Sequence, residues 1–394
     1  MMFSRVASRL HAETNPLYTL RDQLQRQGTP VLDLISGNVN ELGIIFPQDV
    51  LQEALLRAAP RAAIYCPDSF GQRAAREAIS DYYLSQGVAF PAENILLTPG
   101  TSVAYWYCFK LLMDEGDEVL CPHPSYPLFD YIGALSGIRL IPYPLDEANG
   151  WEIDIRRLEA SISTRTRALV LISPHNPTGH VSSSAEIEAL TDIALRHDLA
   201  IISDEVFSEF LLEGDILPRP ARGGAPLVLT LNGFSKMFAL PGIKLGWMAV
   251  SGEECRVTEA LRALEMISDT FLPVNEIVQA AVPDIFRSAS GFLSSYVRRI
   301  RERWACARGL LANSPGLSFV DPEGGFYLTL KLSDLEEEQA AKAVLREGGL
   351  LTHPGFFYDM APHHLVLSFV QPPEVLKAVL PRLLESLESC SRSD

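Results

Sequence analysis

An α/β fold built on a mostly parallel, doubly wound sheet is predicted by three features of this sequence. Apolar runs of strand length recur, helical patterns fill several of the gaps between them, and the runs are apolar enough to be buried on both faces. The runs fall at 94–98, 118–121, 139–145, 168–173, 199–203, 227–231 and 245–251. One helix is fixed by its start: Ser183 is the N-cap and Glu186, three residues on, completes a capping box. Ile187, Leu190, Ala194 and Leu195 then supply an apolar face, and the helix runs to about Asp198.

Beyond about residue 285 the character changes. Charged helical segments (RRIRERWACARGLL, DLEEEQAAKAVLRE) alternate with short strands (GGFYLTLKL, HLVLSFV) before a final helix. This predicts a large domain over 46–285 and a smaller α+β domain formed by both chain ends, 1–45 and 286–394. With 394 residues, 47% of them hydrophobic, the chain exceeds what one compact core holds, which agrees with two lobes.

Lys and Arg number 33 against 49 Asp and Glu, a formal charge of -16 with no basic cluster, so nucleic acid and anionic membranes are poor partners. Cys66, Cys108, Cys121, Cys255, Cys306 and Cys390 are scattered without a spacing that suits a metal, and read as reduced thiols of a cytoplasmic protein. The N-terminal stretch MMFSRVASRLHAETNP lacks the apolar run of a signal peptide, and no run of 18 apolar residues occurs.

In such sheets ligands bind beyond the carboxyl ends of the strands, so the polar residues just after each run carry the chemistry. Pro99, Gly100, Thr101 and Ser102 open a helix whose free N–H groups suit a phosphate, or make a plain N-cap. Asn176, in PHNPTGH, lies in a loop stiffened by its following proline, or in a simple turn before a helix. Asp204 and Glu205 place acids at a strand mouth, or cap a helix. Lys236, in NGFSKMFALPG, stands beside an apolar segment that would lower its pKa, or is a solvated lysine. Each has an ordinary explanation alone; a phosphate cup, an amide, a carboxylate and an amine on one sheet edge form a more specific set. No Walker loop, GxGxxG, GxSxG or HExxH motif competes with it.

In that order, GTS at 100–102, PSYPLF at 124–129, HNPTG at 175–179, SDEVF at 203–207 and FSKMFALPGIKLGW at 234–247 resemble the class I/II aminotransferases of pyridoxal-phosphate (PLP) fold type I. The resemblance spans roughly residues 15–385 and implies a PLP enzyme with Lys236 carrying the cofactor as a Schiff base and shuttling a proton. It further implies that Asp204 binds the pyridine nitrogen, that Tyr126 stacks on the ring and that Asn176 donates to its phenolic oxygen. Gly100, Thr101, Ser102, Ser235 and Lys244 would hold the phosphate, and Tyr65 would cross to the partner's phosphate in a homodimer with shared active sites. Lys236, Asp204 and Tyr126 are then the catalytic candidates, and the substrate is a small amine or amino acid.

Four positions depart from the family pattern. Phe207 replaces a tyrosine, Gly233 replaces a phosphate-binding serine, and Lys244 replaces an arginine, exchanging a fork for a point charge. Val366, in HLVLSFVQPP, stands where an arginine usually clamps the substrate carboxylate. Either another group holds that carboxylate or the substrate lacks one. An aminotransferase is the expected activity; the same groups would serve a PLP lyase or a carbon–carbon bond-forming enzyme. A PLP-binding regulator is less consistent, because no segment is left to form a DNA-binding module.

Overall fold

The structure is a computed structural model describing residues 2, 4, 6, 7, 10, 15–312, 314–333 and 335–392. The reading of MMFSRVASRLHAETNP falls largely outside these residues. The strands are β1 (Leu32–Asp33), β2 (Ile95–Thr98), β3 (Glu118–His123), β4 (Arg139–Asp146), β5 (Glu152–Ile153), β6 (Thr166–Ile172) and β7 (Ala200–Asp204). They continue as β8 (Leu227–Gly233), β9 (Gly246–Gly252), β10 (Leu317–Ser318), β11 (Tyr327–Leu332), β12 (Leu350–Leu351), β13 (His353–Pro354) and β14 (His364–Ser368).

All seven expected runs enter one eight-stranded sheet of order β2-β9-β8-β7-β6-β3-β4-β5. Strands β8, β7, β6, β3 and β4 pair in parallel; β9 and β5 run against them. Side chains of β6, β7 and β8 alternate between two helical layers. Val170, Ile202 and Leu229 pack with Ala104 and Phe109 of the helix Thr101–Leu112, whereas Leu171, Ile201 and Val228 pack with Leu190 and Ile193 of the helix Ser184–His197. Burial on both faces is why these runs are continuously apolar.

The capping box of Ser183 and Glu186 forms, and Asp198, left-handed at φ +56°, ends that helix. Ile187, Leu190 and Ala194 are buried, but Leu195 is 48% exposed. It lies a further 100° round the helix from Ala194, and Ile193 occupies the core face instead.

An antiparallel sheet of order β10-β11-β14-β13 forms beyond residue 285. Leu17 and Leu34 from the start of the chain share its core with Leu328, Leu365 and Leu383. Strand β1 pairs in parallel with β12, Leu32 opposite Leu350, so the two chain ends are held by backbone hydrogen bonds as well. Phe207 and Phe210, from just after β7, enter the same core. Among the described residues no helix is long and apolar enough to cross a membrane.

Candidate active site

Strands β2, β6, β7 and β8 share one direction, so the residues that follow them meet at one sheet edge. A cavity of about 170 Å³ there is lined by Gly100, Thr101, Ser102, Tyr126, Asn176, Asp204, Ser235 and Lys236. Those are eight of the ten residues expected from the sequence. Lys244 is exposed in a left-handed turn at φ +54°, and Tyr65 is 78% exposed; neither lines this cavity.

The helix Thr101–Leu112 begins at the cavity with no side chain capping it. Its first-turn N–H groups lack intrahelical partners and project beyond the helix end, which suits an anion. At the end of β7, Asp204 is buried and accepts from the Tyr105 hydroxyl at 2.8 Å and the Val206 N–H at 3.1 Å. Burial raises its pKa to about 6, only partly opposed by those two hydrogen bonds. Neighbouring Glu205 is instead spent on Arg219, in a buried ion pair at 2.7 Å.

The Asn176 loop is closed by His175 N–H to the His180 carbonyl and Gly179 N–H to the His175 carbonyl, each 2.8 Å. His180 is clamped between Glu186 at 3.0 Å and Glu323 at 3.1 Å. Burial works against its charge, but the two carboxylates outweigh it and hold the pKa near 9. Asn176 itself carries a buried amide oxygen with no partner among the described residues.

Lys236 follows β8 on the short helix Phe234–Met237. Its amine lies 5.6 Å from the Phe207 ring centre and 5.8 Å from that of Phe326. Burial lowers its pKa to about 8. A Cβ on Gly37 would come within 2.8 Å of the Tyr327 hydroxyl and 3.2 Å of the Lys236 amine, so the chain at Gly37 passes directly over both.

A second cavity of about 510 Å³ shares Tyr126, Asn176, Ser235, Lys236 and Tyr327 with the first and adds Asn38, His353 and Tyr358. The first cavity suits a planar cofactor, and the second opens beside it.

Three departures find physical reasons. Phe207 packs edge-on against Phe326 and Tyr327, joining the site wall to the core of the C-terminal sheet. A Cβ at Gly233 would lie 2.8 Å from the Leu245 carbonyl, so strand β9 leaves no space there for serine. Val366 is fully buried, packing with Tyr358 and Met360 rather than lining either cavity. It is an inward strand residue.

Sequence reasoning missed Tyr105, Gly37, Tyr327, His353 and Tyr358. Tyr105 was accessible in principle, since it lies one helical turn after Thr101 and so shares its face. The others come from segments remote in sequence and carry no motif.

The set fits PLP: an uncompensated buried carboxylate for a protonated ring nitrogen, an unpartnered amide, an uncapped helix start and an amine of lowered pKa. Fold and site define a PLP enzyme of fold type I. The sequence profile of the family described as aminotransferase class I and II matches residues 29–383, and the chain belongs to that family. It is 30% identical over 383 residues to the glutamate-pyruvate aminotransferase AlaA of Haemophilus influenzae, with 94% of each chain covered. It is 31% identical over 386 residues to the alanine aminotransferase of Mycobacterium bovis, covering 95% of this chain and 89% of that one. The solved alanine aminotransferase from Pyrococcus furiosus superposes with a TM-score of 0.92 at 25% identity, covering 98% of this chain and 100% of that chain. The protein is a PLP-dependent aminotransferase.

Proposed function

We propose that this enzyme moves an amino group between an amine or amino-acid donor and a keto acceptor, with Lys236, Asp204 and Tyr126 as its catalytic residues. The observation that carries the reading is an amine whose pKa is brought down to about 8 in the same cavity as a buried aspartate without a counter-charge. Bound PLP supplies an electron-withdrawing ring that stabilises negative charge on the substrate carbon bearing nitrogen. The Asp204 carboxylate would keep the ring nitrogen protonated, and the neutral Lys236 amine would take a proton from that substrate carbon and return it to the carbon on the other side of the nitrogen. Tyr126 would cover the ring, and the Asn176 amide would donate to its phenolic oxygen. The Gly100–Ser102 helix start and Ser235 hold the phosphate, with Lys244 supplying positive charge from the adjoining turn.

A homodimer would bring Tyr65, too exposed to serve its own cavity, to the partner's phosphate. Ile64 beside it is 72% exposed, which supports a covered surface there. The 46–285 and 1–45 plus 286–394 division is proposed on the pairing of β1 with β12 and the core shared by both chain ends. Scattered cysteines and the charge of -16 favour the cytoplasm and argue against nucleic-acid or anionic membrane partners. Pyruvate in the names of AlaA and of the arginine–pyruvate transaminase AruH of Pseudomonas aeruginosa supports a small keto acceptor. The test is the half-reaction: a donor added to PLP-loaded enzyme should give stoichiometric pyridoxamine phosphate and a carbonyl product. Failure of a broad donor panel to convert the cofactor would refute the proposal.

A further inference from the structure

Among the described residues the larger cavity is lined by one basic side chain, Lys236, and by no arginine. Beyond Lys236 its polar wall is made of neutral groups. The Tyr18 hydroxyl lies 2.7 Å from Nε2 of His353, and the Tyr358 hydroxyl lies 3.1 Å from Nδ1 of the same ring. Burial pushes the imidazole down to about 4 and both tyrosines up, so all three are uncharged near neutral pH. Arg21, stacked over the Tyr18 ring at 4.7 Å, already donates two hydrogen bonds to Asp22.

A neutral imidazole has one N–H and one lone pair. If Nδ1 carries the proton, it donates to Tyr358, whose own O–H is free to donate into the cavity. If Nε2 carries it, Tyr358 donates to Nδ1 and presents only lone pairs. The relay therefore offers a substrate either a donor or an acceptor. Asn38 narrows the choice. Asn38 lines the same cavity; its Nδ2 donates to Glu41 at 2.8 Å, which fixes the amide, and its Oδ1 is buried without a partner among the described residues. That oxygen needs a proton from whatever binds. Asp33 adds negative charge that acts on Tyr18, Tyr327, His353 and Tyr358 alike.

We propose that the Tyr18–His353–Tyr358 relay and Asn38 recognise an uncharged hydrogen-bonding group, a hydroxyl or an amide, next to the amine-bearing carbon of the substrate, in preference to a carboxylate. A hydroxyl can donate to Asn38 and meet Tyr358 in either tautomer; a carboxylate can only accept, and would lie against the Asn38 oxygen with no guanidinium to offset its charge and only the Lys236 amine as a basic group. This inference rests on the aminotransferase reading above.

The test uses PLP-loaded enzyme and matched donors: L-alanine and L-alaninol, L-leucine and L-leucinol, L-phenylalanine and L-phenylalaninol, followed by the loss of cofactor absorbance after rapid mixing. In at least one pair the alcohol should react faster by about tenfold, the worth of one hydrogen bond. Faster reaction of the acid in every pair overturns the inference and leaves the aminotransferase intact. Conversion by none of the six overturns the inference, whereas the aminotransferase reading is overturned by failure of the broad donor panel. Tyr358→Phe should slow the alcohols about tenfold and the acids far less, with the absorbance of the bound cofactor unchanged; equal losses for acid and alcohol overturn the relay.

Discussion

Replacing Asp204 by asparagine should make the cofactor-free protein more stable at pH 8. The carboxyl has its pKa raised from 3.8 to about 6, chiefly by burial. The native state therefore holds this proton more tightly than the unfolded chain does. Its contribution to stability is complete below about pH 4, falls between about pH 4 and 6, and stays low above that. At about 1.4 kcal/mol per pH unit, the gap between the two values corresponds to roughly 3 kcal/mol lost at pH 8. Asparagine keeps an oxygen for the Tyr105 hydroxyl, at 2.8 Å from the present carboxylate, and carries no charge to desolvate. The variant should gain up to about 3 kcal/mol at pH 8 and about a third of that at pH 4.5. Urea denaturation of both proteins, stripped of cofactor, measures the difference at each pH. A gain of equal size at both, or no gain at pH 8, would refute the argument. With PLP bound the same substitution should abolish most activity, because an amide cannot keep the ring nitrogen protonated.

Other outcomes follow from the same geometry. Lys236 must be neutral to attack a carbonyl, and its pKa near 8 lies above neutrality, so PLP capture by the stripped protein should accelerate nearly tenfold from pH 7 to 9 and level off; a flat profile would contradict the lowered pKa. After borohydride reduction the adduct should map to Lys236 and vanish in Lys236→Ala. Gly37→Ala should cost at least tenfold in turnover through the 2.8 Å approach to the Tyr327 hydroxyl, and Tyr327→Phe in the same chain should recover part of it; no recovery would mean the clash lies elsewhere. Val366→Arg should destabilise by about 3–5 kcal/mol, because it places an unpaired charge in a fully buried site; a stable variant in thermal denaturation would show that the strand opens there.

The sheet was legible because its strands are buried on both faces and so remain apolar throughout. Strand direction was not. Strand β9 reads like its parallel neighbours, and only its connection to β8 through the Lys236 segment turns it antiparallel. Strand β5, two residues long, is too short for any periodic signal. Leu195 shows the limit of helical periodicity, since a pattern names the apolar stripe but not where it ends. The site was legible where chemistry sits directly after a strand, as at Asp204 and Lys236. Gly37, Tyr327 and His353 reach the same cavity from segments that lie 91 to 199 positions from Lys236 and carry no motif.

Val366 joins these two cases. In β14, Leu365 and Leu367 face the core built by both chain ends, whereas Val366 faces Tyr358 and Met360 in the other cluster, with Tyr327 packed against it. A strand buried on both sides has no polar face to betray which residue borders the site, so HLVLSFV shows an identity without a direction. Across the ladder Val366 pairs with His353, the centre of the relay, and with Thr329. The arginine expected from the family and the histidine present here thus belong to adjacent strands at the same level. An arginine side chain at 366 would have to run through the space that Tyr358 and Tyr327 now fill. In this chain the valine and the hydroxyl cluster fill one packed space, which is why the valine alone could not say what the pocket binds.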